Sequence, residues 1–96
     1  MTAVAQGRTD ADWETVRVTI RNGSPTDIAF FVNAAITAGQ GRGEVVPIRY
    51  SRNDVSLFPG ESTTITARFR RSELGGADAG VTLRGYNVPK RSVSVG

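Results

Sequence analysis

The residues of this 96-residue chain that could do chemistry are its acids, its arginines, a glycine cluster and a few aromatics, because histidine and cysteine are both absent. Without histidine the commonest general base and zinc ligand are missing, and without cysteine there is no thiolate nucleophile, thiolate metal site or disulfide. No cofactor is expected. Acid–base hydrolysis by two carboxyls needs a pair held about 5 to 9.5 Å apart, with one pKa raised by burial. The acids here fall on turns, loops or outward strand positions. Glu61 follows a Pro-Gly turn and Asp54 lies in a polar corner, where backbone N–H groups are the expected partners of their carboxylates. No triad, dyad or metal cluster is visible, so independent catalysis is not expected.

Three other patterns invite a functional reading and each has a plainer one. Gly39-Gln40-Gly41-Arg42-Gly43 resembles a phosphate loop, but such loops lead into a helix N-terminus, and the residues that follow, Val45 to Tyr50, alternate like a strand. A hairpin tip is expected. Asn22-Gly23-Ser24 fits a glycosylation acceptor, yet Asn-Gly is also a turn dipeptide and Pro25 follows directly, so a turn is expected. Arg68, Arg70, Arg71, Arg84, Lys90 and Arg91 could gather beside Tyr86 as a nucleic-acid surface. With 12 basic and 9 acidic residues the net charge is only +3, and arginines at alternate strand positions are expected to form a solvated face, with no nucleic acid as partner. Trp13, Tyr50 and Tyr86 could line a sugar-binding surface or cap a core with their polar tips in water.

The elements that must carry these residues are strands. In Leu57-Phe58-Pro59-Gly60-Glu61-Ser62, proline pre-sets φ and glycine accepts a positive φ, which predicts a type II turn between two strands. From Trp13 the period is two, with Val16, Val18 and Ile20 on one face and Arg17, Thr19 and Arg21 on the other. Ile28, Phe30, Val32, Ala34 and Ile36 repeat the alternation with apolar neighbours, which predicts a central strand. Val46, Ile48 and Tyr50 share a face, and Pro47 predicts an edge. Val55 and Leu57, then Thr63, Ile65, Ala67 and Phe69, then Val81 and Leu83 to about Val88, and last Val93 and Val95 supply the remaining strands. Arg71 to Gly80 has room for one helical turn.

About seven short strands with turns between them and no helix-period window predict an all-β, immunoglobulin-like antiparallel sandwich burying Val18, Phe30, Val32, Ile65 and Leu83. Residues 1–12 read as a flexible linker and residues 13–96 as one folded domain of a longer protein. The longest apolar run, Ile28 to Val32, is far below the ~20 residues of a membrane helix, so no membrane partner is expected. Arginines and prolines at the expected edges predict a monomer.

Several segments together resemble the C-terminal immunoglobulin-like domain of family 2 glycoside hydrolases, in the exo-β-D-glucosaminidase and β-mannosidase branch. The carriers are Val18-Thr19-Ile20-Arg21-Asn22, Ala29-Phe30-Phe31-Val32, the block Val46 to Ser62, and Gly85-Tyr86-Asn87-Val88-Pro89. The resemblance implies a parent enzyme with two catalytic glutamates in a (β/α)₈ barrel, and sandwich domains packed round it, this one last. None of those glutamates is in this chain. Family members often carry an acid and an aromatic where Arg52 and Asp54 stand, and tryptophan where Tyr86 stands. The resemblance therefore implies an accessory domain touching the barrel, neighbouring sandwich domains or the sugar rim through Tyr50, Arg52, Asn53, Asp54, Tyr86 and Asn87. A carbohydrate-binding module and a cell-surface structural module are the competing readings.

Overall fold

The computed structural model describes residues 1–38, 45, 49–51 and 55–95. The strands are β1 (Thr2–Asp10), β2 (Trp13–Arg21), β3 (Ala29–Ala38), β4 (Arg49–Tyr50), β5 (Val55–Leu57), β6 (Ser62–Arg70), β7 (Ala79–Gly85) and β8 (Val88–Ser94), with one 3₁₀ turn at Arg71–Leu74. They form two antiparallel four-stranded sheets, β1-β2-β6-β4 and β5-β3-β7-β8. A parallel bridge between Ala5 and Val95 ties the sheets along one side. The expected immunoglobulin-like sandwich is therefore the observed architecture.

Its core is what the period of two dictates. Val16, Val18 and Ile20 of β2 and Ile65, Ala67 and Phe69 of β6 are buried against Val32, Ala34 and Ile36 of β3 and Val81 and Leu83 of β7. β3 lies inside its sheet, with Ala34 to Thr37 buried on both faces, as its apolar neighbours predict. β4 is an edge strand, as expected, although Val46, Pro47 and Ile48 lie outside the described residues. The glycine cluster at 39–43 is also outside them.

At Pro59-Gly60, Glu61 N–H bonds the Phe58 carbonyl at 3.0 Å and Gly60 takes φ +78°, the type II geometry read from the sequence. Asn22 at the other expected turn is buried. Its Nδ2 donates to the Asp27 and Leu57 carbonyls at 2.7 and 2.9 Å, and its Oδ1 accepts from Ser24 N–H at 3.1 Å. Its backbone N–H donates to the Glu61 carbonyl and its own carbonyl accepts from Gly60 N–H. One asparagine thus joins two turns, which leaves its amide no room for a glycan.

Three expectations are corrected. Residues 2–10 of the supposed linker form β1, paired with β2 from Thr2↔Arg21 to Asp10↔Trp13. Only Ala5 of that strand is fully buried, so its apolar signal is too thin to read, while its backbone still satisfies the β2 ladder. Phe30 does not enter the core. A bulge between Ala29 and Val32 puts two residues where alternation allows one, so Ala29 and Val32 both point inward and Phe30 and Phe31 point out. Finally, the strand expected from Val81 to about Val88 stops at Gly85, so Tyr86 and Asn87 lie outside it. They are the two-residue turn of the β7–β8 hairpin, flanked by the partners Gly85 and Val88.

Candidate functional site

The resemblance singles out six residues, and β3 is the element that orders the described ones. Tyr50 is half-buried against the core, and its hydroxyl oxygen accepts a 3.2 Å bond from Ile36 N–H. Ser51 continues the edge pairing, donating N–H to the Thr66 carbonyl and accepting from Thr66 N–H on Oγ. Asn87 acts at the opposite end of β3. Its Oδ1 accepts from Phe30 N–H at 2.9 Å and its Nδ2 donates to the Ile28 carbonyl at 2.7 Å, while Tyr86 N–H donates to the Phe30 carbonyl at 3.0 Å. Phe30 and Ile36 are six residues apart in sequence, roughly 20 Å of extended chain, so the structure does not bring Tyr50 to the Tyr86–Asn87 turn. Arg52, Asn53 and Asp54 lie outside the described residues. Of the described members, only Tyr86 offers a largely exposed ring, at 84 %.

That ring has company the sequence did not announce. Phe30 and Phe31, turned out by the bulge, lie with ring centroids 6.3 Å apart. Phe58 follows Leu57, whose Cα partner is Ala29, and is likewise exposed. These four and Val4 are the large hydrophobics left exposed among the described residues. The signal that could have found the bulge is the doubled apolar pair Phe30-Phe31 inside an otherwise strict alternation.

The six basic residues considered with Tyr86 do not collect into one patch. Arg68 and Arg70 lie over the Trp13 ring, 4.4 and 4.6 Å from its centroid, and Arg70 also pairs with Asp12 at 3.2 Å. Arg84, Lys90 and Arg91 belong to the other sheet, where Arg91 donates to the Met1 carbonyl. The β1-β2-β6-β4 face does carry a cross-strand row of Arg8, Thr15, Arg68 and Arg49, one residue per strand and three of the four cationic. An open groove of about 630 Å³ on that face is lined in part by Arg8, Arg17, Arg68 and the acid Asp10. Trp13 is thus a platform for guanidinium groups.

Among the acids, Glu61 Oε1 accepts from Phe58 N–H at 3.2 Å, the backbone partnership expected of it. Glu14 has a pKa raised above the ordinary carboxylate value. Burial at the β1/β8 seam raises it, the Arg71 guanidinium 3.7 Å away pulls it down, and the Asp78 carboxylate pushes it up again. Glu14 lies beside Gly7, where a Cβ would come within 3.3 Å of its Oε2 and 2.9 Å of Val95 Cγ1. It fills the seam between Gly7 and Val95. Among the described residues no group of three or more acids could hold a metal ion.

A disulfide-free sandwich with satisfied turns and ion pairs, and an aromatic corner as its distinctive surface, defines an immunoglobulin-fold module. Residues 1–88 match the family model described as the exo-beta-D-glucosaminidase Ig-fold domain, and the chain belongs to that family. It is 36 % identical over 80 residues to an exo-beta-D-glucosaminidase of Amycolatopsis orientalis, covering 82 % of this chain and 8 % of that protein. It is 30 % identical over 98 residues to a mannosylglycoprotein endo-beta-mannosidase of Lilium longiflorum, covering 96 % of this chain and 10 % of that protein. Its fold superposes on the crystal structure of the A. orientalis exo-chitosanase CsxA with a TM-score of 0.91 at 34 % identity, over 96 % of this chain and 11 % of that one. The chain spans about a tenth of the length of the relatives it matches. The resemblance read from the sequence is thereby borne out.

Proposed function

We propose that this chain is a non-catalytic accessory domain of a family 2 glycoside hydrolase of the exo-β-D-glucosaminidase type, packed against the catalytic (β/α)₈ barrel and neighbouring sandwich domains of the same parent chain. The observation that carries the reading is the family membership, joined to a span of about a tenth of enzymes whose names state a glycosidase activity. The described acids support it, since each with a described partner is engaged in a turn, an ion pair or a seam. Tyr50, Arg52, Asn53, Asp54, Tyr86 and Asn87 are the proposed contacts to the barrel, neighbouring domains or sugar rim, and the excised domain is monomeric.

The test is to assay the 96-residue chain and its parent enzyme side by side on p-nitrophenyl β-D-glucosaminide. Hydrolysis by the parent and none by the chain is expected. Turnover by the chain alone, or a parent inert toward every β-glycoside offered, overturns the proposal. A carbohydrate-binding role is the second reading, favoured by the exposure of Tyr86 beside Phe30 and Phe31. Titration with glucosamine oligomers separates the two, because the accessory-domain reading expects no shift of the Tyr86 or Phe31 amide signals.

A further inference from the structure

We propose that the aromatic corner formed by Phe30, Phe31, Phe58 and Tyr86 is the face on which a second domain of the same parent polypeptide seats. This rests on the accessory-domain reading and names the surface it uses. Phe30, Phe31, Phe58 and Tyr86 are 40, 59, 60 and 84 % exposed. Together they present apolar area on the order of 400–500 Å², about as much as the largest patch on an ordinary monomer, and such patches mark interaction sites. It comes from one end of one sheet, whereas the outer face of β1-β2-β6-β4 is polar and cationic.

The corner is held in shape at a backbone cost. Phe31 takes φ +51°, a left-handed conformation that an aromatic residue rarely adopts, and such strain persists only where the surroundings enforce it. The enforcement is visible. Asn87 clamps Phe30 N–H and the Ile28 carbonyl, Ser56 Oγ accepts from Phe31 N–H at 3.3 Å, and the Phe30 carbonyl takes Tyr86 N–H. Gly85 permits that approach, because a Cβ there would stand 2.8 Å from the Phe30 carbonyl oxygen. In a regular strand one of the two phenylalanines would turn into the core; the bulge presents both outward.

The chemistry of the corner fits an apolar protein surface. Sugar recognition needs several hydrogen-bonding groups converging beside the aromatic faces. Both ends of the Asn87 amide instead bond backbone groups at the start of β3, and Ser56 Oγ accepts from Phe31 N–H. These side chains hold the bulge, and the polar tip the corner itself presents is the Tyr86 hydroxyl. None of the four aromatics carries a charge that would draw an anion or an amino sugar. An apolar centre with a small polar rim is the pattern of a domain interface. The occupant follows from length. A chain about a tenth as long as its enzyme relatives sits among other domains, and no described segment of its own covers the corner.

The test measures thiol-labelling rates, native against urea-unfolded, in the complete polypeptide encoded by the parent gene. Tyr86→Cys and Phe58→Cys report on the corner and Arg17→Cys on the opposite face; the domain has no cysteine of its own, so each thiol is read in its own peptide by mass spectrometry. The expected result is severalfold slower native labelling at positions 86 and 58, with position 17 freely labelled. Free labelling at 86 and 58 with protection at 17 overturns the inference and leaves the accessory-domain reading standing. Free labelling at all three overturns the inference and leaves the accessory-domain reading to its contacts at the Tyr50 end, whereas a gene encoding no further domain overturns both. Protection at 86 that appears only when glucosamine oligomers are added makes the corner a sugar site and also overturns the inference. Hydroxyl-radical oxidation of the native Tyr86 and Phe31 gives the same readout should a cysteine variant fail to fold.

Discussion

Asn22 holds more of this fold than any charged residue does. Its amide reaches two carbonyls and one N–H across two turns, and it is 4 % exposed, so truncation leaves buried acceptors without donors. Asn22→Ala is expected to lower the unfolding free energy by about 2–3 kcal/mol, read from urea denaturation. Glu14 makes the opposite kind of contribution. Its pKa is raised by burial, so the folded state keeps the proton to higher pH than the unfolded chain does. The penalty is therefore fully present above the folded pKa and is relieved below the unfolded one, and this group adds stability as pH falls through that window. Glu14→Gln should be more stable than the parent sequence at neutral pH, and the difference should vanish as acid protonates Glu14. A difference that grows on acidification would contradict the assignment.

At the scale of elements, the β3 bulge is where local preference and tertiary arrangement conflict. Phe31 in a left-handed conformation costs about 1–2 kcal/mol relative to a residue without a Cβ. Phe31→Gly is accordingly expected to stabilise the isolated domain by up to about 1 kcal/mol in chemical denaturation, while removing part of the aromatic corner. Loss of stability would mean that the ring's contact with Phe30 outweighs the strain. The neighbouring elements show why the bulge is readable only in part. Alternation places Val32, Ala34 and Ile36 inward correctly, because the bulge is complete by Val32 and the period then runs undisturbed. Upstream, the phase depends on where β5 and the Tyr86–Asn87 turn hold the backbone, and these contacts come from residues more than twenty positions away. β1 is illegible for a different reason: an edge strand is held by backbone pairing and needs few apolar side chains.

At the scale of the molecule, two sheets share one core and neither is covered without the other. Phe69, fully buried in β6, packs in the centre of that core, so Phe69→Ala should cost about 3–5 kcal/mol. That is a large part of the ~5–15 kcal/mol that holds an ordinary domain folded. A cooperative unfolding transition shifted far toward low denaturant is expected, by fluorescence of Trp13 and by circular dichroism together; two separate transitions would show that the sheets fold independently.

By itself the sequence determined the class of fold, the inward residues of β2 and β6, the Pro59-Gly60 turn, the turn role of Asn22 and the lack of histidine and cysteine chemistry. Each of these rests on neighbours within a few positions, where alternation and dihedral preference act directly. The tertiary structure alone decided that residues 2–10 complete a sheet, that Trp13 lies under two arginines, and that Phe30 and Phe31 both turn outward beside the Tyr86–Asn87 turn. Those outcomes depend on register between distant strands and on a single bulge, and a one-residue change of phase reverses which face a side chain takes.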